Sequence, residues 1–173
     1  MGLSVATSSA QAVYNRNHLR QQVSDNYITM QAYRKIYNDT DDFKHANISI
    51  ATFDNNVLLT GQTLHPNQPA AAERIIKTIA GVNHVYNHIT VEAPSSALTS
   101  VSDGWITTKI RSKLLAEDDV NPDHIKVVTE NGTVYLMGIV FPEESDAVVN
   151  VASHTEGVQA VMKHFYYLRI SKN

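Results

Sequence analysis

Cysteine is absent from all 173 residues, so the chain has no disulfide, thiolate nucleophile or Cys-ligated zinc site. No run of about 18 or more apolar residues occurs, which excludes a helix that spans a bilayer. A basic excess is also missing. The 14 Lys and Arg face 17 Asp and Glu, a formal net charge of −3 that argues against a nucleic-acid binder. Tryptophan occurs once, proline five times and glycine seven times, so each is positionally informative. What is present is apolar material, at 43 % of residues. That suffices for one ordinary domain or two small ones and excludes wholesale disorder. The start, Met1 to Ala12, is small and polar and has neither the charged region nor the apolar core of a signal peptide. A natural targeting signal is expected to have been removed from it.

The chain repeats itself. Ile28–Thr29 matches Ile106–Thr107 at an offset of 78. Ile48, Thr52, Val57, Leu59 and Gly61 match Ile125, Thr129, Val134, Leu136 and Gly138 at 77. Gly81, Val82, Val85 and His88 match Gly157, Val158, Val161 and His164 at 76. So many matches in order, with so little drift, imply two copies of one fold.

Each copy has the same grammar. A helix is expected over 27–38 and again over 103–117, with apolar stripes Ile28, Ala32, Ile36 and Ile106, Ile110, Leu114. Two alternating strands follow, turned at Asp54–Asn55 and at Asn131–Gly132. Asn-Gly is a strong hairpin signal because both residues tolerate positive φ. A second helix opens at Pro69 or Pro142, and a last strand covers 82–92 or 158–170. The fold class is therefore α+β: two tandem αββαβ units, each a three-stranded mixed sheet with two helices packed on one face. The expected boundaries are a mostly irregular segment 1–26, a first unit 27–92, a linker 93–102 of loop composition, and a second unit 103–173.

This grammar, the Gly after each hairpin and the Gly-Val before each last strand resemble the BON domain family. The segments Trp105–Leu115, Thr129–Gly138, Val57–Gln62 and Val85–Asn87 carry the resemblance, with Tyr14–Arg16 and Asp25 ahead of the first unit. It implies a periplasm-facing lipoprotein of a Gram-negative outer membrane. Such a protein would bind anionic phospholipid through its second BON domain, support outer-membrane integrity and concentrate at division sites. The acylated N-terminal Cys that this implies is missing, and Met1–Gly2 is expected to stand in its place.

The residues support the lipid reading in their own right. Residues 101–173 carry 7 basic and 10 acidic residues, yet 104–116 contains Lys109, Arg111 and Lys113 and no acid. Trp105 suits the headgroup level of a bilayer, and Lys and Arg stems lie along apolar surface while their charges reach phosphate. With the resemblance, the expected lipid-binding residues are Trp105, Ile106, Lys109, Ile110, Arg111, Lys113 and Leu115. The spacing of Ile110 also places it in the core. The bland alternative is a solvated helix face opposite a core stripe, with Trp105 packed between the two units. Copy one replaces Lys109 by Gln31 and Arg111 by Tyr33, so its cationic face is weaker, and the first unit is expected not to bind lipid by itself.

No G-x-S-x-G, H-E-x-x-H or Gly-rich phosphate loop occurs, and no catalytic residue, metal site or cofactor is expected. His84 and His88, four apart on one strand, would sit about 13 Å apart, too far for one ion. The acidic runs Asp39, Asp41, Asp42 and Glu117, Asp118, Asp119 read as solvated loops. The expected function is thus a non-enzymatic, phospholipid-binding envelope protein, with phosphatidylglycerol or cardiolipin as partner and no nucleic acid. The rivals are a periplasmic protein–protein adaptor that uses Tyr27, Tyr33, Tyr37 or Phe165–Tyr167 to bind envelope proteins, and a small-ligand or cation-binding module.

Overall fold

The computed structural model describes residues 3–169, with side chains from residue 15 onward. Two compact units divide between Glu92 and Ala93. In the first, helix α1 (Leu3–Tyr37) is followed by strands β1 (Asn47–Phe53) and β2 (Asn56–Thr63), helix α2 (Gln68–Lys77), and strands β3 (His84–Asn87) and β4 (Thr90–Val91). The second comprises α3 (Ala97–Leu114), a single 3-10 turn at Pro122–His124, β5 (Ile125–Glu130), β6 (Thr133–Val140), α4 (Pro142–Ser153) and β7 (Ala160–Tyr167). The α+β class and the doubled αββαβ order are as the sequence predicts.

Both sheets are mixed. β1 and β2 are antiparallel, and β3 runs parallel to β2 on its other side. In the second unit β5 and β6 are antiparallel and β7 is parallel to β6. Only the second sheet keeps three strands. The last strand of the first unit breaks at His88–Ile89, where the Asn87 side chain accepts the Ile89 N–H and donates to the Pro69 carbonyl and the Glu73 carboxylate. β4 then resumes beside β2.

The expected stripes are the cores. Ile28, Ala32 and Ile36 pack with Phe43, Val57, Leu59 and Ile76, while Ile106, Ile110 and Leu114 pack with Val127, Val134, Leu136 and Val148. A hydroxyl pair repeats beside each core: Thr29 to Thr52 at 2.7 Å and Thr107 to Thr129 at 2.8 Å. Gly61 is obligatory in this register. Its φ is +103°, and a Cβ there would lie 1.9 Å from the Asn47 carbonyl oxygen.

Two expectations need correction. Residues 3–26 are not irregular but form the first six turns of α1. No Gly or Pro interrupts 3–37, so a helix nucleated on the core stripe propagates backwards. Side chains at 21, 24 and 25 then tie it to the first hairpin. The 93–102 stretch is also only partly loop, because α3 starts at Ala97. Ser96 caps it, its Oγ accepting the Thr99 N–H at 3.1 Å. Met1, Gly2 and the expected strand end at Ile170 lie outside the described residues.

Candidate membrane-docking face

Each unit clamps its hairpin turn with one helix carboxylate. Asp103 accepts the N–H groups of Asn131 (2.8 Å) and Gly132 (2.9 Å). Asp25 does the same for Asp54 (2.9 Å) and Asn55 (2.8 Å). All four turn residues have positive φ, the two-residue hairpin geometry. Asp103 is the only acid of α3 and Asp25 the only acid of α1. The clamp therefore draws each helix's negative charge inward and leaves the outward surface cationic.

On α3, the core residues Ile106, Ile110 and Leu114 define one side. Roughly 150° away around the helix run Leu98, Val101 and Trp105, all exposed. Trp105 is 62 % exposed and Leu115, at the far end, 71 %. The cations flank this stripe. Lys109 Nζ donates to the Glu156 carbonyl at 3.1 Å and lies 3.9 Å from its carboxylate. Lys113 Nζ donates to Thr155 Oγ1 at 3.2 Å. Arg111, on the other flank, donates to the Val127 carbonyl at 3.3 Å. Lys113 and Arg111 each make one such contact and Lys109 two, both to Glu156, so each ammonium or guanidinium keeps further donors for an anion.

Five of the seven expected residues thus share a surface: Trp105, Lys109, Arg111, Lys113 and Leu115. Ile106 and Ile110 do not. They are 6 % and 0 % exposed and sit in the core, so neither can touch a ligand, and their role is to hold the helix in place. Leu98 and Val101 belong to the face and were hidden because 93–102 reads as linker. Their spacing to Trp105, seven and four residues, was the available signal.

The rival surfaces fare differently. Tyr33 and Tyr37 are partly consumed by their own unit, since their hydroxyls accept the Ile50 and Ile48 N–H groups at 3.0 and 2.7 Å. Burial pushes the Tyr37 phenol up, partly offset by its Ile48 backbone bond and reinforced by Tyr33. Phe165 packs against the second core, leaving Tyr166 and Tyr167 exposed. Among the described residues no group of three or more His, Asp or Glu is placed to hold a metal ion. None of the described helices is long and apolar enough to cross a membrane.

An αββαβ unit with a carboxylate-clamped hairpin, present twice, matches the BON domain model at residues 24–93 and 102–168. The chain belongs to the BON domain family. It is 31 % identical over 147 residues to the outer membrane lipoprotein DolP of Haemophilus influenzae, covering 85 % of this chain and 76 % of that one. It is 32 % identical over 148 residues to the 21 kDa hemolysin of Actinobacillus pleuropneumoniae, covering 86 % and 76 %. To the osmotically-inducible protein Y of Escherichia coli it is 32 % identical over 126 residues, covering 71 % and 63 %.

Proposed function

We propose that this protein is a non-enzymatic docking protein of the outer membrane that binds anionic phospholipid through the outward face of α3. The observation that carries the reading is the exposed stripe Leu98, Val101, Trp105 and Leu115, bordered by Lys109, Arg111 and Lys113, with the one acid of α3 turned inward and a single neighbouring carboxylate, Glu156, beside Lys109. Trp and Leu enter the headgroup region, and the long cationic side chains reach phosphate. Each basic residue near an anionic surface contributes about 1 kcal/mol. Three such charges and a shallow apolar stripe give reversible attachment, and a second signal such as a lipid chain would make it stable. The name of the H. influenzae relative, an outer membrane lipoprotein, fits that division of labour. The protein would face the periplasm and dock on phosphatidylglycerol or cardiolipin. Its contribution to envelope integrity, at division sites included, would follow from that attachment.

Co-sedimentation with phosphatidylglycerol vesicles tests this reading. Trp105→Ala, or Lys109→Glu with Lys113→Glu, should weaken binding at least ten-fold with the far-UV circular dichroism unchanged. Undiminished binding of both variants would overturn it.

A further inference from the structure

The backward extension of α1 creates a second face of the same kind. Leu19, Val23, Tyr27 and Met30 are all exposed, at spacings of four, four and three. They lie on the opposite side of the helix from Ile28, Ala32 and Ile36, roughly 180° around it. Arg16, Arg20 and Arg34 border this stripe and are exposed. Arg34 has a loose partner in Asp39 at 3.6 Å. The one acid of α1, Asp25, is turned onto the Asp54–Asn55 turn. The stripe is therefore apolar with a cationic border and no carboxylate of its own.

We infer that this face of α1 is a second docking site for an anionic bilayer surface, one that does not depend on α3. The charge selects the occupant. Pairing with a second copy would bring three arginines against three more, with only Asp39, beside Arg34, to offset them on each side. A protein groove is disfavoured by size, since stable interfaces bury about 800 Å² per partner and this is four side chains along one convex helix. A bilayer needs no complementary groove. It takes such a helix in the interface plane, with the apolar side chains down and the arginines at phosphate. The expectation that the first unit does not bind lipid rests on 27–37 alone. Arg16, Arg20, Leu19 and Val23 lie outside that window.

The single Trp makes the test separable from the α3 reading. In the full chain carrying Trp105→Phe and Tyr27→Trp, the only indole sits on the α1 face. Its emission should shift to the blue on adding phosphatidylglycerol vesicles and stay put with phosphatidylcholine alone. In the otherwise native chain, Arg16→Gln with Arg20→Gln should weaken vesicle affinity about ten-fold. Both side chains are exposed, so the fold is retained. An unshifted indole at 27 together with unchanged affinity of the arginine variant would overturn the inference, whatever Trp105 reports. A concentration-dependent rise in mass without vesicles would also overturn it, by assigning the stripe to a second copy.

Discussion

At the open edge of β1, Tyr33 and Tyr37 turn their hydroxyls onto the strand and accept its outward N–H groups. At the matching places of the second unit stand Arg111 and Leu115. Arg111 reaches the Val127 carbonyl with one donor, and Leu115 touches little. The first unit therefore spends the carboxy-terminal half of its helix on its own sheet, whereas the second keeps that half available. Toward the amino-terminal halves the helices converge, with Val23 and Tyr27 where the second unit has Val101 and Trp105. One fold thus tolerates large changes on the outward helix face, because only the inward stripe, the clamp carboxylate and the glycine positions are structurally fixed.

The glycines give the largest expected contrast. Gly61→Ala combines a positive φ with a 1.9 Å approach to a carbonyl and should destabilise the first unit by about 4 kcal/mol. At Gly138 a Cβ would lie 2.7 Å from the His124 carbonyl without a positive φ, so Gly138→Ala should cost about 2 kcal/mol. Urea denaturation of each variant checks the order, and equal losses would show that the two hairpin ends are not differently constrained.

The clamp comes next. Asp103→Ala removes two charge-assisted hydrogen bonds and should cost about 3 kcal/mol. Asp25→Ala should cost less. The turn residue Asn55 is also held by Gln21 Nε2 at 2.8 Å and Ser24 Oγ at 3.1 Å, whereas the side chain of Asn131 has one such bond, from Ser95 Oγ at 2.7 Å. Hydrogen exchange at the Asn131, Gly132, Asp54 and Asn55 amides reads this site by site.

A smaller effect is expected in binding. The Glu156 carboxylate is exposed and 3.9 Å from Lys109, so Glu156→Gln should tighten vesicle affinity by about two- to three-fold at low salt and leave it nearly unchanged at high salt.

The smallest effect concerns the turns. Burial, and then the neighbouring Asp25, raise the Asp54 carboxyl above its ordinary range. A raised acid is destabilising once ionised, so its cost is present above the folded pKa and disappears as pH falls through it. Asp54→Asn, which installs the residue of the second unit, should stabilise the first unit slightly at pH 7 and not at all near pH 3. A gain that persisted at pH 3 would show that the charge is not its cause.

Most of the fold was legible because it is written twice. The offsets of 76 to 78 paired the stripes, turns and glycines, and each copy confirmed the other. The helix starts were not legible. None of the described side chains of 15–26 is buried, and what holds these turns is a tertiary clamp from Gln21, Ser24 and Asp25 to a hairpin about 30 residues away. The same blind spot hid part of the candidate face, since Leu98 and Val101 sit within 93–102, the stretch expected to be linker. Trp105 and the three cations were visible as an acid-free run, whereas Ile106 and Ile110 entered the expected set through the resemblance although their spacing already put them on the core stripe.

The central claim is that Trp105 and its neighbouring cations meet lipid from outside the bilayer. Quenching of the native Trp105 emission by brominated phospholipid tests it most directly. The indole should be quenched most strongly by bromines near the headgroup end of the acyl chain, only in vesicles that contain phosphatidylglycerol, and less as salt rises. Equal quenching in neutral vesicles, or none in anionic ones to which the protein is bound, would contradict it.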